Sequence, residues 1–415
     1  MERLLHGEVL NFLIMISIML IVARVLGEII KKFNQPAVIG ELLAGIILGP
    51  SVLGTFYPDA FQALFYHHPR SYIAYDGMAQ VGIIFLLFVA GMEVDLPMIW
   101  KQGKSALAIS LSGIVLPFAL GFGAAWYFFN VLSEQDSSRQ LVFSLFMGVA
   151  LSISALPVIA KILIDLNLIK SKVGGLIMAS AMVDDILGWV LFSVILGMMD
   201  TNPEATQSVE SIAYSIGFTF VFMALVLTFV RILINKVLPV FYKYISGSAG
   251  VITFAISMCF LGAVFTEYIG IHAIFGAFLM GIAFGDSEHF TEKSREILHQ
   301  FITNIFAPLF FASIGLRVNF VENFDVVIIL LVLVLSYIAK VIGVGLGAYW
   351  SGLNKNESLA ISFGMNARGS MGIILGLLAL EAGVIDNKMF VALVVMAIVT
   401  SITSGPLMKI FLKRG

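Results

Sequence analysis

The chain has a single cysteine, Cys259, in 415 residues, and little charge: Asp, Glu, Lys and Arg together make up 12% of it. One thiol excludes an intramolecular disulfide and a cysteine-ligated metal cluster, and Cys259 reads as a small buried apolar residue. His272, at the outer end of an apolar run, has no partner histidine at ligand spacing, which argues against a metal site. No Walker loop, dinucleotide fingerprint or nucleophile elbow is present. The chain is therefore not read as an enzyme, no cofactor and no nucleic-acid partner is expected, and energy for any work must come from an ion gradient. Soluble domains are about a quarter charged, so the low charge already excludes most of them.

What the chain has instead is apolar surface, with 60% hydrophobic residues and a mean hydropathy of +1.01. Apolar runs of about 20 residues recur from end to end, each long enough to cross ~30 Å of hydrocarbon. A membrane β-barrel would show short alternating segments instead. The fold class is therefore an all-α polytopic membrane protein in the lipid bilayer. The start, Met1 to Glu8, has no cleavage-like site after a short apolar core. The first run is thus read as a retained span rather than a signal peptide.

Hydropathy divides the chain into thirteen spans, over 9–30, 36–53, 77–94, 104–130, 140–164, 172–199, 209–238, 248–268, 271–285, 300–318, 324–350, 357–380 and 388–411. The connections are short, and the longest, from Gly54 to Asp76, is aromatic enough to lie on the membrane surface as a short helix. Sixteen basic residues fall in one set of alternate loops: Lys31, Lys32, Lys101, Lys104, Lys161, Lys170, Lys172, Arg231, Lys236, Lys243, Lys293, Arg295, Lys355, Lys409, Lys413 and Arg414. Only five, Arg3, Arg70, Arg139, Arg317 and Lys388, fall in the other. The excess of basic residues marks the cytoplasmic side. This predicts an outside N-terminus and a cytoplasmic C-terminus in the cytoplasmic (inner) membrane.

The chain also repeats itself. Pro36 to Gly49 aligns with His272 to Gly285, with Gly40, Gly45 and Gly49 meeting Gly276, Gly281 and Gly285 at a constant offset. The next spans match as well, Phe88 to Asp95 against Phe311 to Asn319. The copies start at spans two and nine, so their topology is inverted, and in transporters built this way the binding site lies at the repeat interface near the midplane. Two spans at equivalent positions read as broken helices. Span five carries Ser152, Ser154 and Pro157, and the proline removes a backbone donor and crowds the carbonyl one turn back. Span twelve packs Asn366, Arg368, Gly369 and further small residues into mid-membrane. Unwound backbone at that depth is tolerated only where protein covers it or it lines a cavity.

Charges inside spans are few. Arg24 and Glu28 lie one turn apart and can pair with each other. Glu41 in span two suits packing or an ion path. Asp184 and Asp185 stand in the middle of an apolar run from Gly174 to Gly197. Each ionised carboxylate there costs roughly 3 kcal/mol or more, and adjacent residues point about 100° apart on a helix. Two such carboxylates disfavour joint ionisation, which makes them candidates to bind a cation or a proton. Lys340, deep in span eleven, needs a carboxylate partner, and either aspartate can serve. Arg368 keeps its charge, so it suits bracing the site or offsetting helix C-terminal carbonyls.

At the motif Ala181-Met-Val-Asp-Asp-Ile-Leu-Gly188 the chain resembles bacterial monovalent cation:proton antiporters of the second cation:proton antiporter family, in the sodium/proton exchanger branch. Further similar pieces are Asn34 to Gly45, Phe85 to Glu93, Pro308 to Leu316 and Asn366 to Gly369. The resemblance implies a homodimer whose core domain moves like an elevator against a dimerisation domain. Residues 1–98 and 247–320 would form the dimerisation domain, 99–200 and 321–415 the core transport domain, and 201–246 a linker helix. It further implies that Asp185 binds Na⁺ and protons in alternation, that Asp184 pairs with Lys340, and that exchange is electrogenic. Ser152 and Ser154 are candidate cation ligands. Relatives with a cytoplasmic nucleotide-binding domain extend further, so that control is expected to be absent or supplied by another subunit. Na⁺ or Li⁺ for H⁺ is the leading expectation. K⁺/H⁺ exchange is the alternative, and a gated cation channel, a membrane sensor or a sodium-coupled solute transporter are more remote.

Overall fold

The computed structural model describes residues 4–33, 35–133, 139–166, 168, 171–199, 209–244, 248–269 and 272–412. Arg3, Lys170, Lys413 and Arg414, which entered the charge asymmetry, lie outside the described residues, as do the start of the expected linker helix at 201 and the boundary at 246 and 247. Among the described residues all regular structure is helical. The longer helices are α1 (His6–Lys32), α2 (Ala37–Leu48), α3 (Pro69–Met92), α4 (Leu96–Tyr127), α5 (Gln140–Ala150), α6 (Leu156–Asp165), α7 (Lys172–Met199), α8 (Val209–Leu225), α9 (Arg231–Tyr244), α10 (Ser248–Tyr268), α11 (Ala273–Gly285), α12 (Glu292–Phe301), α13 (Ala307–Arg317), α14 (Val326–Trp350), α15 (Lys355–Gly364), α16 (Gly369–Glu381) and α17 (Asn387–Leu412). Ten helices among the described residues are long and apolar enough to cross a membrane, and up to eleven if α15 and α16 count as one bent span. The chain is a multi-pass membrane protein.

Helix starts follow polar residues in the loops. Asp95 caps α4 by accepting from the Met98 amide, and Asp325 caps α14 at Val327 and Ile328. Asn354 and Glu357 form a reciprocal capping box at α15. These side chains satisfy amide groups that the first turn leaves without partners. The aromatic connection after α2 folds as short turns at Leu53–Phe56 and Pro58–Phe61, followed by a π-helical turn at Gln62–Tyr66. Phe56 and Tyr57 there are exposed.

The chain divides into two compact units. The first comprises Met1–Glu93, Ala224–Glu267 and Ala273–Asn323. Within it α2 packs between α1 and α13, and α11 packs on α3. The packing is reciprocal between the two repeat copies. A Cβ on Gly45 of α2 would lie 2.0 Å from the Ala312 carbonyl oxygen of α13, and one on Gly281 of α11 would lie 2.1 Å from the Phe88 carbonyl oxygen of α3. One turn on, Gly49 meets Gly315, and Gly285 meets Met92. Only glycine permits backbones this close.

The second unit comprises Val94–Met223, Tyr268–His272 and Phe324–Gly415. Helices α4 and α14 make its largest interface, with α4 also against α5 and α7, and α17 against α15 and α16. Helix α4 bends at Gly103, whose φ of +52° suits glycine.

Candidate cation and proton site

Two helices of the second unit are interrupted at their midpoints. Span five stops at Ala150 and resumes at Leu156, and span twelve stops at Gly364 and resumes at Gly369 with a 48° bend. The structure corrects the role expected of Pro157. It stands in the first turn of α6, where a missing N–H leaves nothing unpaired. The interruption itself is the non-helical stretch 151–155, which ends in an extended Ala155. At the second break Gly369 has φ +49°, and a Cβ there would lie 2.3 Å from a Val158 methyl. Glycine is therefore required twice over, by backbone angle and by the approach of α6.

The two breaks are joined to each other. The Ala155 amide donates to the Ala367 carbonyl at 2.7 Å. The Ser154 hydroxyl lies 2.7 Å from the Met365 carbonyl. Arg368 donates from Nη1 to the Ala150 and Ile153 carbonyls and from Nη2 to the Ser336 carbonyl. It thus offsets the C-terminal end of α5, where carbonyls lack helical partners. The Gly369 amide is taken by the Ser401 hydroxyl of α17 at 3.1 Å.

The acidic pair sits beside this junction. Asp184 and Asp185 of α7 are both fully buried, as is Lys340 of α14. Lys340 Nζ donates to Asp184 Oδ2 at 2.7 Å, and also to the carbonyls of Ser152 and Gly113. All three ammonium protons are therefore placed. Ser154 lies 2.9 Å from Asp184 Oδ2, and Ser110 of α4 donates to Oδ1 at 2.6 Å. Ser154 has one proton for two acceptors, Asp184 and Met365, so its hydroxyl turns with the charge on Asp184. The Ser152 hydroxyl points to the Gly148 and Ile114 carbonyls. Asn366 in the second break is fully buried, and neither its amide oxygen nor its amide nitrogen has a hydrogen-bond partner among the described residues. The structure thus brings Asp184, Lys340, Ser152, Ser154 and Arg368 into one connected network. It places Asp185 next along the same helix, about 100° round.

The family model described as "Sodium/hydrogen exchanger, transmembrane" matches residues 15–414. The chain belongs to this family. It is a family of transporters, not of enzymes. Cation/H(+) antiporter 17 of Arabidopsis thaliana is 31% identical over 415 residues, covering 97% of this chain and 48% of the relative. Na(+)/H(+) antiporter NhaS4 of Synechocystis sp. is 30% identical, covering 95% of this chain and 96% of the relative. K(+)/H(+) antiporter 1 of Saccharomyces cerevisiae is also 30% identical, with 96% of this chain and 46% of the relative covered. The chain thus spans about half the length of the plant and yeast relatives. Among solved structures, the sodium proton antiporter MjNhaP1 from Methanocaldococcus jannaschii at pH 8 matches with a TM-score of 0.67 over 96% of both chains, at 17% identity. The fold is shared with that antiporter.

Sequence reasoning missed Ser110, Ser401 and the carbonyls of Gly113 and Ser336. Ser110, Ser112 and Gly113 do form a small polar cluster in the apolar run of α4, the same kind of signal that marked Ser152 and Ser154.

Proposed function

We propose that the chain exchanges a monovalent cation for protons across the cytoplasmic membrane, and that Asp185 is the group on which the two compete. The observation that carries this reading is a fully buried acidic pair beside two interrupted helices. Asp184 is engaged by an ammonium and two hydroxyls, while Asp185 adjoins it at equal depth. Protons from outside displace the cation from Asp185. The core then carries them inward, where Asp185 releases them and takes the cation. Ser152 and Ser154 supply hydroxyl oxygens whose lone pairs remain open to a cation while their protons are donated elsewhere. Lys340 pairs with Asp184 in one half-cycle and falls back on the two carbonyls in the other.

Na⁺ is the leading cargo, because NhaS4 aligns over nearly its full length and is named for Na⁺. K⁺ is the alternative, because a relative of equal identity is named for K⁺. Counting α5–α6 and the short buried α11 as crossings, beside the eleven candidates, makes thirteen. That number suits an outside N-terminus and a cytoplasmic C-terminus. The second unit is read as the moving core of an elevator and the first as the dimerisation domain of a homodimer. Reciprocal glycine packing in the first unit supports an inverted repeat.

The test is proton flux into proteoliposomes loaded with a pH dye, titrated with Na⁺, Li⁺ and K⁺. Asp185→Asn is expected to abolish cation-dependent flux. Full flux in that variant would sink the reading, and the ion with the lowest KM identifies the cargo.

A further inference from the structure

Several serines buried in helices of this chain hydrogen-bond their own backbone. Ser313, Ser336, Ser362, Ser401 and Ser404 all donate to a carbonyl three or four residues back. Such local bonds are the default for a hydroxyl in an apolar helix. Ser110 does not follow it. Fully buried on α4, it donates to Asp184 Oδ1 of α7 at 2.6 Å. The carbonyl it would otherwise use, that of Ala106, accepts from Ser180 of α7 at 3.3 Å. Ala106 and Ser110 are one turn apart on α4, and Ser180 and Asp184 are one turn apart on α7. The two helices therefore exchange hydrogen bonds at matched spacing, and this fixes the register in which Asp184 meets α4. The next turn of α4 serves the same centre, since the Gly113 carbonyl accepts from Lys340 and the Ile114 carbonyl from Ser152.

We propose that Ser110 is a positioning residue of the exchange site. Its hydroxyl occupies Oδ1 of Asp184, so that Lys340 and Ser154 meet on Oδ2 alone. With both oxygens engaged, Asp184 is withheld from the cargo cation, and the cation is left to Asp185. This inference rests on the proposed exchange at Asp185. Ser154 cannot do the same work, because its single proton is shared with the Met365 carbonyl. Ser110 has no second acceptor among the described residues.

The experiment compares wild type with Ser110→Ala, Ser110→Thr and Ser110→Cys in proteoliposomes, reading KM and kcat for the cation separately. Removing the donor exposes a second anionic oxygen to the cargo. Ser110→Ala is expected to lower the KM at least fivefold and to slow kcat, because the ion is held more tightly and released later. Ser110→Thr keeps the hydroxyl and is expected to restore both. The Ser180 to Ala106 bond persists in every variant, so the helix register survives. Should Ser110→Ala fail to reach the membrane, Ser110→Cys carries the test, because a thiol of similar size is only a weak donor, and its KM is expected to fall below that of Ser110→Thr. An unchanged KM with reduced kcat would make Ser110 a mere packing residue and overturn the proposal. A raised KM would make the hydroxyl a cargo ligand and overturn it equally. If wild type itself shows no cation-dependent proton flux, the exchange reading fails first and this inference falls with it. If wild type exchanges and Ser110→Ala behaves like it, only the inference fails.

Discussion

At the scale of single residues, the most informative group outside the acidic pair is Asn366. A buried amide with no hydrogen-bond partner costs about 1–3 kcal/mol, and native proteins retain few such groups without a reason. Asn366 lies between Met365 and Ala367, whose carbonyls are both tied to the opposite break. Its side chain is thus held at the crossing while its own polar atoms have no hydrogen-bond partner among the described residues. Asn366→Leu, with the same branching and no polar atoms, is expected to raise the melting temperature in detergent, by about 1–3 kcal/mol of stability. It is also expected to lower exchange. Such a trade is typical of functional sites. A variant that loses stability would show that the amide has a structural partner, and one that gains stability with undiminished flux would remove Asn366 from the site. The sequence made Asn366, Arg368 and Gly369 legible as a polar interruption of an apolar span. It left Lys340 with two possible partners, because residue spacing along α7 cannot say which of two adjacent carboxylates faces α14. Ser110 stayed hidden for a related reason. Serine in an apolar helix is ordinarily satisfied by its own backbone, and only the position of α7 reveals the exception.

At the scale of elements, the interrupted helices show what a pattern can and cannot locate. Both interruptions were legible as clusters of small and polar residues in long apolar runs. The cause of the first differs from the one its proline suggests. A proline inside a helix is expected to break it, yet Pro157 lies in the first turn of the second half, and the non-helical residues 151–155 form the break. Glycine contacts make the other element-scale statement. Helices without apolar driving force between them associate through close packing, so a methyl group at the closest approach is costly and one elsewhere is not. Gly45→Ala would put Cβ 2.0 Å from the Ala312 oxygen and Gly281→Ala 2.1 Å from that of Phe88. Each is expected to destabilise the protein by roughly 1–3 kcal/mol, as overpacking does. Gly77 lies in α3 with nothing within 4 Å of its Cβ position. Gly77→Ala is expected to stabilise by about 0.5–1 kcal/mol through helix propensity alone. Thermal melts of the three variants in one detergent check the series. Equal melting temperatures for all three would refute the close-approach argument, and a loss at Gly45 without one at Gly281 would refute the equivalence of the repeats.

At the scale of the whole molecule, the asymmetry of basic residues becomes a statement about which loops face which compartment. Helix α14 offers the cleanest test, because its 25 residues rise about 37 Å at 1.5 Å each, enough to cross ~30 Å of hydrocarbon. Glu322 precedes it and Lys355 follows it, and both are exposed. The distribution of Lys and Arg predicts Glu322 outside and Lys355 in the cytoplasm. The single native thiol makes the experiment simple, since Cys259 is fully buried and a buried apolar thiol is inert. Wild type is therefore expected to take up no membrane-impermeant maleimide in intact cells. Glu322→Cys is expected to label in intact cells, and Lys355→Cys only after the membrane is permeabilised. The opposite pattern would invert the topology, and the cation would then be taken up on the other side of the membrane from the one proposed. Labelling of both sites in intact cells would mean that α14 does not cross at all, which would leave Lys340 without a membrane interior to be buried in and Asp184 without the reason for its pairing.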